Sequence, residues 1–216
     1  VAPAWNEKKP EPPNEADDPL HLKLGRMLEP LVMDEYEKRY GPMIRRGGYL
    51  FRHKVYRFLL ATPDAIAGFK TLLECKTCAR WAEEKWGDET TDQIPPASMC
   101  QVQHQMGVMG ADKCWVAVFF RHSDEFQFYE IQRSQKLIDR LFAAAHMFWQ
   151  QVLANTPPDI DWMHGSTPQV VRELTEAAKP ELTNLGPGWE KEWDEYMKLG
   201  EAESLIKKRR EFLKLR

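Results

Sequence analysis

Asp64, Glu74 and Lys76 have types and spacing that could do chemistry, in the stretch LLATPDAIAGFKTLLECKT. Leu72, Leu73, Cys75 and Thr77 suit a strand, and alternate side chains of a strand share a face, so Glu74 and Lys76 project together. Asp64 closes the preceding apolar run and would complete a triad if the two segments were neighbouring strands. Two adjacent carboxylates repel, and one takes up a proton unless a cation sits between them. A hard divalent metal with oxygen ligands and retained waters suits such a site. The three residues alone leave a second reading open, a hairpin whose Glu and Lys form a surface ion pair.

The elements that must position these residues are written in hydrophobic periodicity. Leu24, Met27, Leu28, Leu31, Val32 and Tyr36 follow a helical period that predicts a helix from Leu24 to the Tyr40-Gly41-Pro42 stop. Pro30 places Glu29 in a first turn or at a kink, where the helix pattern alone reads it as a solvated carboxylate. Residues 49–51 and 55–61 suit two strands joined by a polar turn, and a short link containing Gly68 leads to the strand of Glu74. Ser98 offers an N-cap for a helix through Met109, on which Gln101 and Gln105 share a face. His104 is a helix residue with no chemical task assigned.

Cys114 to Phe120 is a continuous apolar run, as expected of a strand buried on both faces. Phe126 to Ile131 alternates and fits a strand nearer an edge. Ser134 starts an amphipathic helix through Leu153. A Pro/Gly-containing stretch around 183–188 precedes a last helix, Trp189 to Arg216, whose cluster Lys207-Lys208-Arg209-Arg210 reads as a solvated helix end, a DNA-facing tail or a subunit contact. The tryptophans Trp81 and Trp86 are read first as core packing, with stacking near a DNA end as the other option.

Asp64 with Glu74-x-Lys76 matches the PD-(D/E)xK nuclease core, and the flanking residues resemble one branch of it, the YqaJ-like viral recombinases related to bacteriophage lambda exonuclease. The resemblance is carried by Leu28-Glu29-Pro30 with Tyr36 and Tyr40-Gly41, then Phe58 to Asp64 and Leu73-Glu74-Cys75-Lys76-Thr77. It continues through Gln101-Val102-Gln103-His104-Gln105-Met106 and Phe148-Trp149 to Pro157-Pro158, so that it runs from about Leu24 to Asp161. It implies an α/β fold with a central mixed sheet flanked by helices, a restriction-endonuclease-like core over 23–161. An extended lead-in over 1–22 and a helical C-terminal extension over 162–216 are expected around it. It also implies a further N-terminal segment ahead of Trp5.

By the same resemblance, Asp64 and Glu74 hold one or two Mg2+ or Mn2+ ions, with the backbone carbonyl of Cys75 and Glu29 completing the shell. Lys76 orients or activates the attacking water, and Gln101 is a further active-site member. The implied activity is 5'-to-3' digestion of one strand of linear double-stranded DNA to mononucleotides, leaving a 3' single-stranded tail for a phage-type annealing protein. A homotrimeric ring, a phage or prophage origin and a cytoplasmic location in a bacterial host are implied with it. A structure-selective or restriction-like endonuclease using the same residues is a second reading. A non-catalytic recombination module is a third, disfavoured by the buried charge cluster.

Composition narrows the field. The chain of 216 residues has a net charge of -3, which disfavours coating of nucleic acid by bulk charge and calls for a locally basic channel. Arg45, Arg46, Arg52, Lys54 and Arg57 form the most basic part of the first half and are candidates for phosphate contacts or solvated hairpin charges. No apolar run approaches a membrane span, and the first residues lack a signal-peptide core. Cys75-x-x-Cys78 lies within the strand and its exit with no second such pair, so the four cysteines are expected as reduced thiols.

Overall fold

The computed structural model describes residues 19–156, 165, 167, 169, 171–172 and 189–214. The chain divides into two compact units, 1–158 and 159–216. The expected lead-in lies outside the described residues except for its last four positions, and so does the Pro/Gly stretch around 183–188.

Helix α1 (Leu20–Tyr40) begins four residues earlier than the apolar period predicts, so Leu20 to Leu22 are helical rather than extended. Pro30 consequently sits in the helix interior, not in its first turn. The helix ends where Gly41, at φ 96°, donates its N–H to the Glu37 carbonyl at 2.9 Å, a backbone angle that residues with a Cβ rarely adopt.

The strands that follow differ from expectation. Strand β1 is Arg45–Arg46, β2 is Phe51–Arg52 and β3 is only Leu60–Ala61, the last two pairing as a separate two-stranded sheet. Residues 55–58 turn instead of extending, because their aromatic side chains are used elsewhere. Phe58 stacks on Trp149 with ring centroids 5.4 Å apart, and Tyr56 meets Phe142 edge-on. His53 Nδ1 accepts the Tyr56 N–H at 2.9 Å and fixes the turn. The segment expected as a link is strand β4 (Ala65–Gly68), which pairs antiparallel with β5 (Thr71–Cys78).

A 3-10 turn, Arg80–Lys85, leads from β5 towards α2 (Pro96–Met109). Pro95 is the N-cap, three residues before the expected Ser98 cap, and Pro96 opens the helix; proline suits this first position because its missing N–H would be unpaired there anyway. Helix α2 ends at Gly110 in the left-handed region (φ 68°), and Arg133 donates to the Met106 and Ala111 carbonyls at 2.7 and 3.0 Å. Strand β6 (Lys113–Phe120) then runs parallel to β5 in unbroken register, and β7 (Glu125–Gln132) returns antiparallel. Helix α3 (Gln135–Leu153) follows from Ser134.

The result is a mixed five-stranded sheet in the order β1-β4-β5-β6-β7. Alternation along β5 and β6 divides the core into two layers. Leu73 and Ala117 face Val32, Met33 and Tyr36 of α1, while Leu72, Val116 and Val118 face Val102 and Met106 of α2. Leu72 and Leu73, at 1% and 0% exposure, each contribute roughly 1.5–3 kcal/mol of burial. A third cluster seats Leu59 and Ala61 of the small hairpin against Val108 of α2 and Phe142 of α3. In the second unit, α4 (Trp189–Lys214) is a helix on which Lys207 pairs with Glu203 one turn away at 2.7 Å. Among the described residues no helix is long and apolar enough to cross a membrane.

Candidate active site

The short β4 creates the site. Its ladder with β5 ends at the Ala65–Leu73 pair, so from Glu74 onward β5 lacks a backbone partner on that flank. Asp64, one residue before β4, fills the first vacancy with its side chain: Oδ2 accepts the Cys75 N–H at 2.7 Å. The sheet thus opens beside the residues whose spacing suggested chemistry, and groups from both helical layers reach the opening.

Glu74 points into the α2 layer and is 2% exposed. A buried carboxylate needs partners, and three side chains supply them. Lys76 Nζ donates to Oε1 at 2.7 Å, as the strand alternation predicts, and Gln101 Nε2 donates to the same oxygen at 2.5 Å. Lys76 Nζ also donates to Gln101 Oε1 at 2.8 Å, closing a three-membered network. On the other oxygen, Gln105 Nε2 donates to Oε2 at 2.8 Å. The two glutamines, one helical turn apart on α2, hold the two oxygens of one carboxylate.

Asp64 and Glu29 complete the charge distribution. Burial, followed by the charges of Glu74 and Glu29, pushes the Asp64 carboxyl up to about 7, against the pull of the Cys75 N–H and Lys76. Burial and Glu74 also raise Glu29, while Lys76 lowers it. Glu29 therefore senses Glu74 and Lys76 from α1, in the opposite layer to the glutamines. Gly47 abuts this corner: a Cβ there would stand 2.7 Å from the Asp64 backbone oxygen, so the approach of the β1 region to Asp64 requires glycine.

Three carboxylates with one ammonium among them leave an excess of negative charge, and the raised Asp64 carboxyl records its burial first and the repulsion of Glu74 and Glu29 second. Among the described residues, no three His, Cys, Asp or Glu side chains draw together into a metal cage. A cation would instead rely on Asp64, Glu74, the Cys75 carbonyl and water. That all-oxygen donor set fits Mg2+ or Mn2+, which bind through one or two carboxylates and keep several waters.

Arg52, Lys54 and Arg57 are exposed on the small hairpin, and Arg45 and Arg46 form strand β1 at the sheet edge. Helix α2 touches that hairpin through His104, whose Nε2 lies 2.9 Å from the Leu60 carbonyl oxygen, consistent with a structural place for the histidine. The two tryptophans part company. Trp86 packs beside Phe120 and Tyr129, whereas Trp81 is 76% exposed with the Lys85 ammonium 5.5 Å from its ring centroid, contrary to the packing expected of it. The described cysteines are all free thiols. The hold of Gln105 on Glu74 is absent from the sequence expectations, although its shared face with Gln101 carried the signal.

Comparison with known proteins gives a family and a fold. The model of the YqaJ-like viral recombinase domain matches residues 5–112. A curated protein of Bacillus subtilis (strain 168), uncharacterized protein YqaJ, is 36% identical over 161 residues, covering 73% of this chain and 49% of that protein. The chain thus spans about half the length of that relative. An alkaline exonuclease (LHK-Exo) from Laribacter hongkongensis has a similar structure, with a TM-score of 0.57, 20% identity and coverage of 75% of this chain and 78% of that one. The same exonuclease in complex with dAMP matches equally well, over 74% of this chain and 77% of that one at 20% identity and TM-score 0.57. A phage-related exonuclease from Haemophilus somnus 129PT matches at a TM-score of 0.52 and 15% identity, over 65% of this chain and 75% of that one. At these identities the likeness establishes the fold: a mixed sheet flanked by helices, as the sequence resemblance implied.

Proposed function

Because the chain belongs to the YqaJ-like viral recombinase domain family, we propose that it is a divalent-metal-dependent exonuclease acting on linear double-stranded DNA in phage-type recombination. The observation that carries this reading is the charge cluster at the sheet opening, where Glu74 and Lys76 of β5, Asp64 just ahead of β4 and Gln101 of α2 converge. A scaffold has no need of a buried carboxylate held at both oxygens beside a second carboxyl that burial and repulsion push up to about 7.

Asp64, Glu74 and the Cys75 carbonyl would hold Mg2+ or Mn2+, with Glu29 as a further acidic group. A bound cation of this kind lowers the pKa of water and offsets charge on the scissile phosphate. Lys76 orients the attacking water and places a compact positive charge beside the phosphorus centre. Gln101 holds the Lys76 ammonium through Oε1 and donates to Glu74 through Nε2, so it fixes the lysine relative to the carboxylate. The water oxygen bonds phosphorus as the bond to the 3' oxygen of the terminal nucleotide breaks. That nucleotide leaves with a protonated 3' hydroxyl and the 5' phosphate it already carried, while the attacked phosphate becomes the new 5' end of the shortened strand. That the similar Laribacter exonuclease has been seen with dAMP, a mononucleotide, supports this product class.

Digestion proceeds 5' to 3' and leaves a 3' single-stranded tail for an annealing protein, with the chain acting as a trimeric ring in a bacterial cytoplasm; family membership is the support for these finer points. The hairpin cations Arg52, Lys54 and Arg57, with Arg45 and Arg46, position the DNA backbone. The test is digestion of a linear duplex labelled at either end, with Mg2+ and with EDTA, beside a closed circle. Mg2+-dependent loss of 5' label as mononucleotides with the circle untouched is the expected result. Nicked circles would replace the exonuclease by an endonuclease, and no cleavage with any metal would remove the nuclease.

A further inference from the structure

We propose that Gln105 is a positioning residue: it fixes Oε2 of Glu74 as the carboxylate oxygen through which this site takes a divalent cation. This rests on the hydrolytic role proposed above and extends it to a residue and an atom.

A carboxylate offers about four lone-pair directions, two on each oxygen. Oε1 of Glu74 already accepts from both Lys76 and Gln101, which fills it. Oε2 accepts from Gln105 alone and therefore keeps one direction for a ligand. Since Glu74 is held at both oxygens, the plane of its carboxylate is fixed, and the Gln105 amide decides where the remaining lone pair lies.

The state of Gln105 itself separates this task from ordinary packing. It is 4% exposed, yet its own Oε1 has no hydrogen-bond partner. Turning the amide over would set oxygen against the Glu74 oxygen, so its orientation is dictated by the carboxylate. A buried unpaired carbonyl costs stability, which an amide retained for structure would avoid. Gln103, two residues away on α2, is such an amide: Nε2 donates to the Gln132 carbonyl at 2.7 Å and Oε1 accepts the Ser134 N–H at 2.8 Å, tying the end of β7 and the start of α3 to the helix. Both glutamines are buried; one serves the backbone and the other serves Glu74.

The experiment titrates Mn2+ into the full chain, reads free Mn2+ by electron paramagnetic resonance, and compares wild type with Gln105→Met, Gln105→Asn and Gln103→Met. Gln105→Met keeps the side-chain volume and removes the donor; Gln105→Asn keeps an amide too short to reach, in case the first variant misfolds. Both are expected to weaken Mn2+ binding about 10- to 100-fold, the usual loss when a group orienting a metal ligand is removed, and to lower kcat with KM for DNA unchanged. Gln103→Met is expected to lower the melting temperature and leave Mn2+ affinity unchanged. In a Glu74→Gln background, Gln105→Met should change Mn2+ affinity no further. A folded Gln105 variant with wild-type Mn2+ affinity, beside a wild type that binds Mn2+ and digests DNA, would overturn the assignment of Gln105 alone. A wild type that neither binds Mn2+ nor digests DNA would overturn the nuclease and this role together.

Discussion

Replacing Asp64 by Asn should stabilise the protein when no metal is present and weaken it relative to wild type when metal is added. The folded carboxyl keeps its proton to about pH 7, against 3.8 as the ordinary value. Between those limits the folded state binds more protons than the unfolded one, so wild-type stability falls as pH rises and the loss is complete above about pH 7. A span of about three pH units corresponds to about 4 kcal/mol at 1.36 kcal/mol each, and interior relaxation removes roughly half. Asn removes the charge while its Oδ1 can still accept the Cys75 N–H, so in EDTA at pH 8.5 the variant should be more stable by about 2 kcal/mol. For a chain of this size that is a rise of roughly 4–8 °C in melting temperature. At pH 4.5, where the wild-type carboxyl is protonated in the folded state, the gain should shrink to about 0.5 kcal/mol. Mg2+ at 100 times its dissociation constant adds about 2.7 kcal/mol to wild type at pH 8.5, which the Asn variant cannot match, and the order of the two melting curves should reverse. Calorimetry at the two pH values, with EDTA and with Mg2+, tests each step. An Asn variant that melts at or below wild type in EDTA at pH 8.5 would refute the cost assigned to burying a charged Asp64 beside Glu74 and Glu29.

Lys76→Ala should leave duplex binding within about threefold by anisotropy and abolish Mg2+-dependent cleavage, since the role proposed for the ammonium is to orient the water and not to hold the DNA backbone. Replacing Arg52, Lys54 and Arg57 together by Gln should lower the slope of log affinity against log salt by about 2–3, roughly one for each phosphate that these cations neutralise. Gly107→Ala would set a Cβ 2.8 Å from Ile138 Cγ2 and Phe142 Cζ and should cost about 1–3 kcal/mol by overpacking the α2–α3 contact, measurable by chemical denaturation.

How far the sequence revealed this arrangement varied by element. Strands β5, β6 and β7 and helix α3 were legible because each is long enough for its periodicity to speak, although β6 is fully buried only on the α2 face, with Trp115 and Phe119 half-buried beside Ala117 on the other. Strand β4 was not, because Ala65-Ile66-Ala67-Gly68 is short and ends in a residue that punctuates chains. The stretch 55–58 suggested a strand, but the rings of Tyr56 and Phe58 pack on α3, so side-chain packing decided the backbone path. Glu74 and Lys76 sharing a face followed from strand geometry alone. Gln105 was placed on the right face without a task, because no local pattern shows that a buried carboxylate lies across from it. Arg133 gave no signal at all: its use as a cap for α2 depends on where β7 ends in space.

The early end of β4 also gives the two helical layers a common point of reference. Elsewhere the sheet separates α1 from α2, with Leu73 and Leu72 facing opposite ways and each layer packing on its own side. At the opening, Glu29 of α1 and Gln101 and Gln105 of α2 act on the same small group of charges. The ion proposed for this opening would work as a rivet through a plate, drawing on both sides through one hole. Slow-exchanging amides in α1 and α2 should therefore gain protection together when it binds, although the two helices belong to different faces of the molecule.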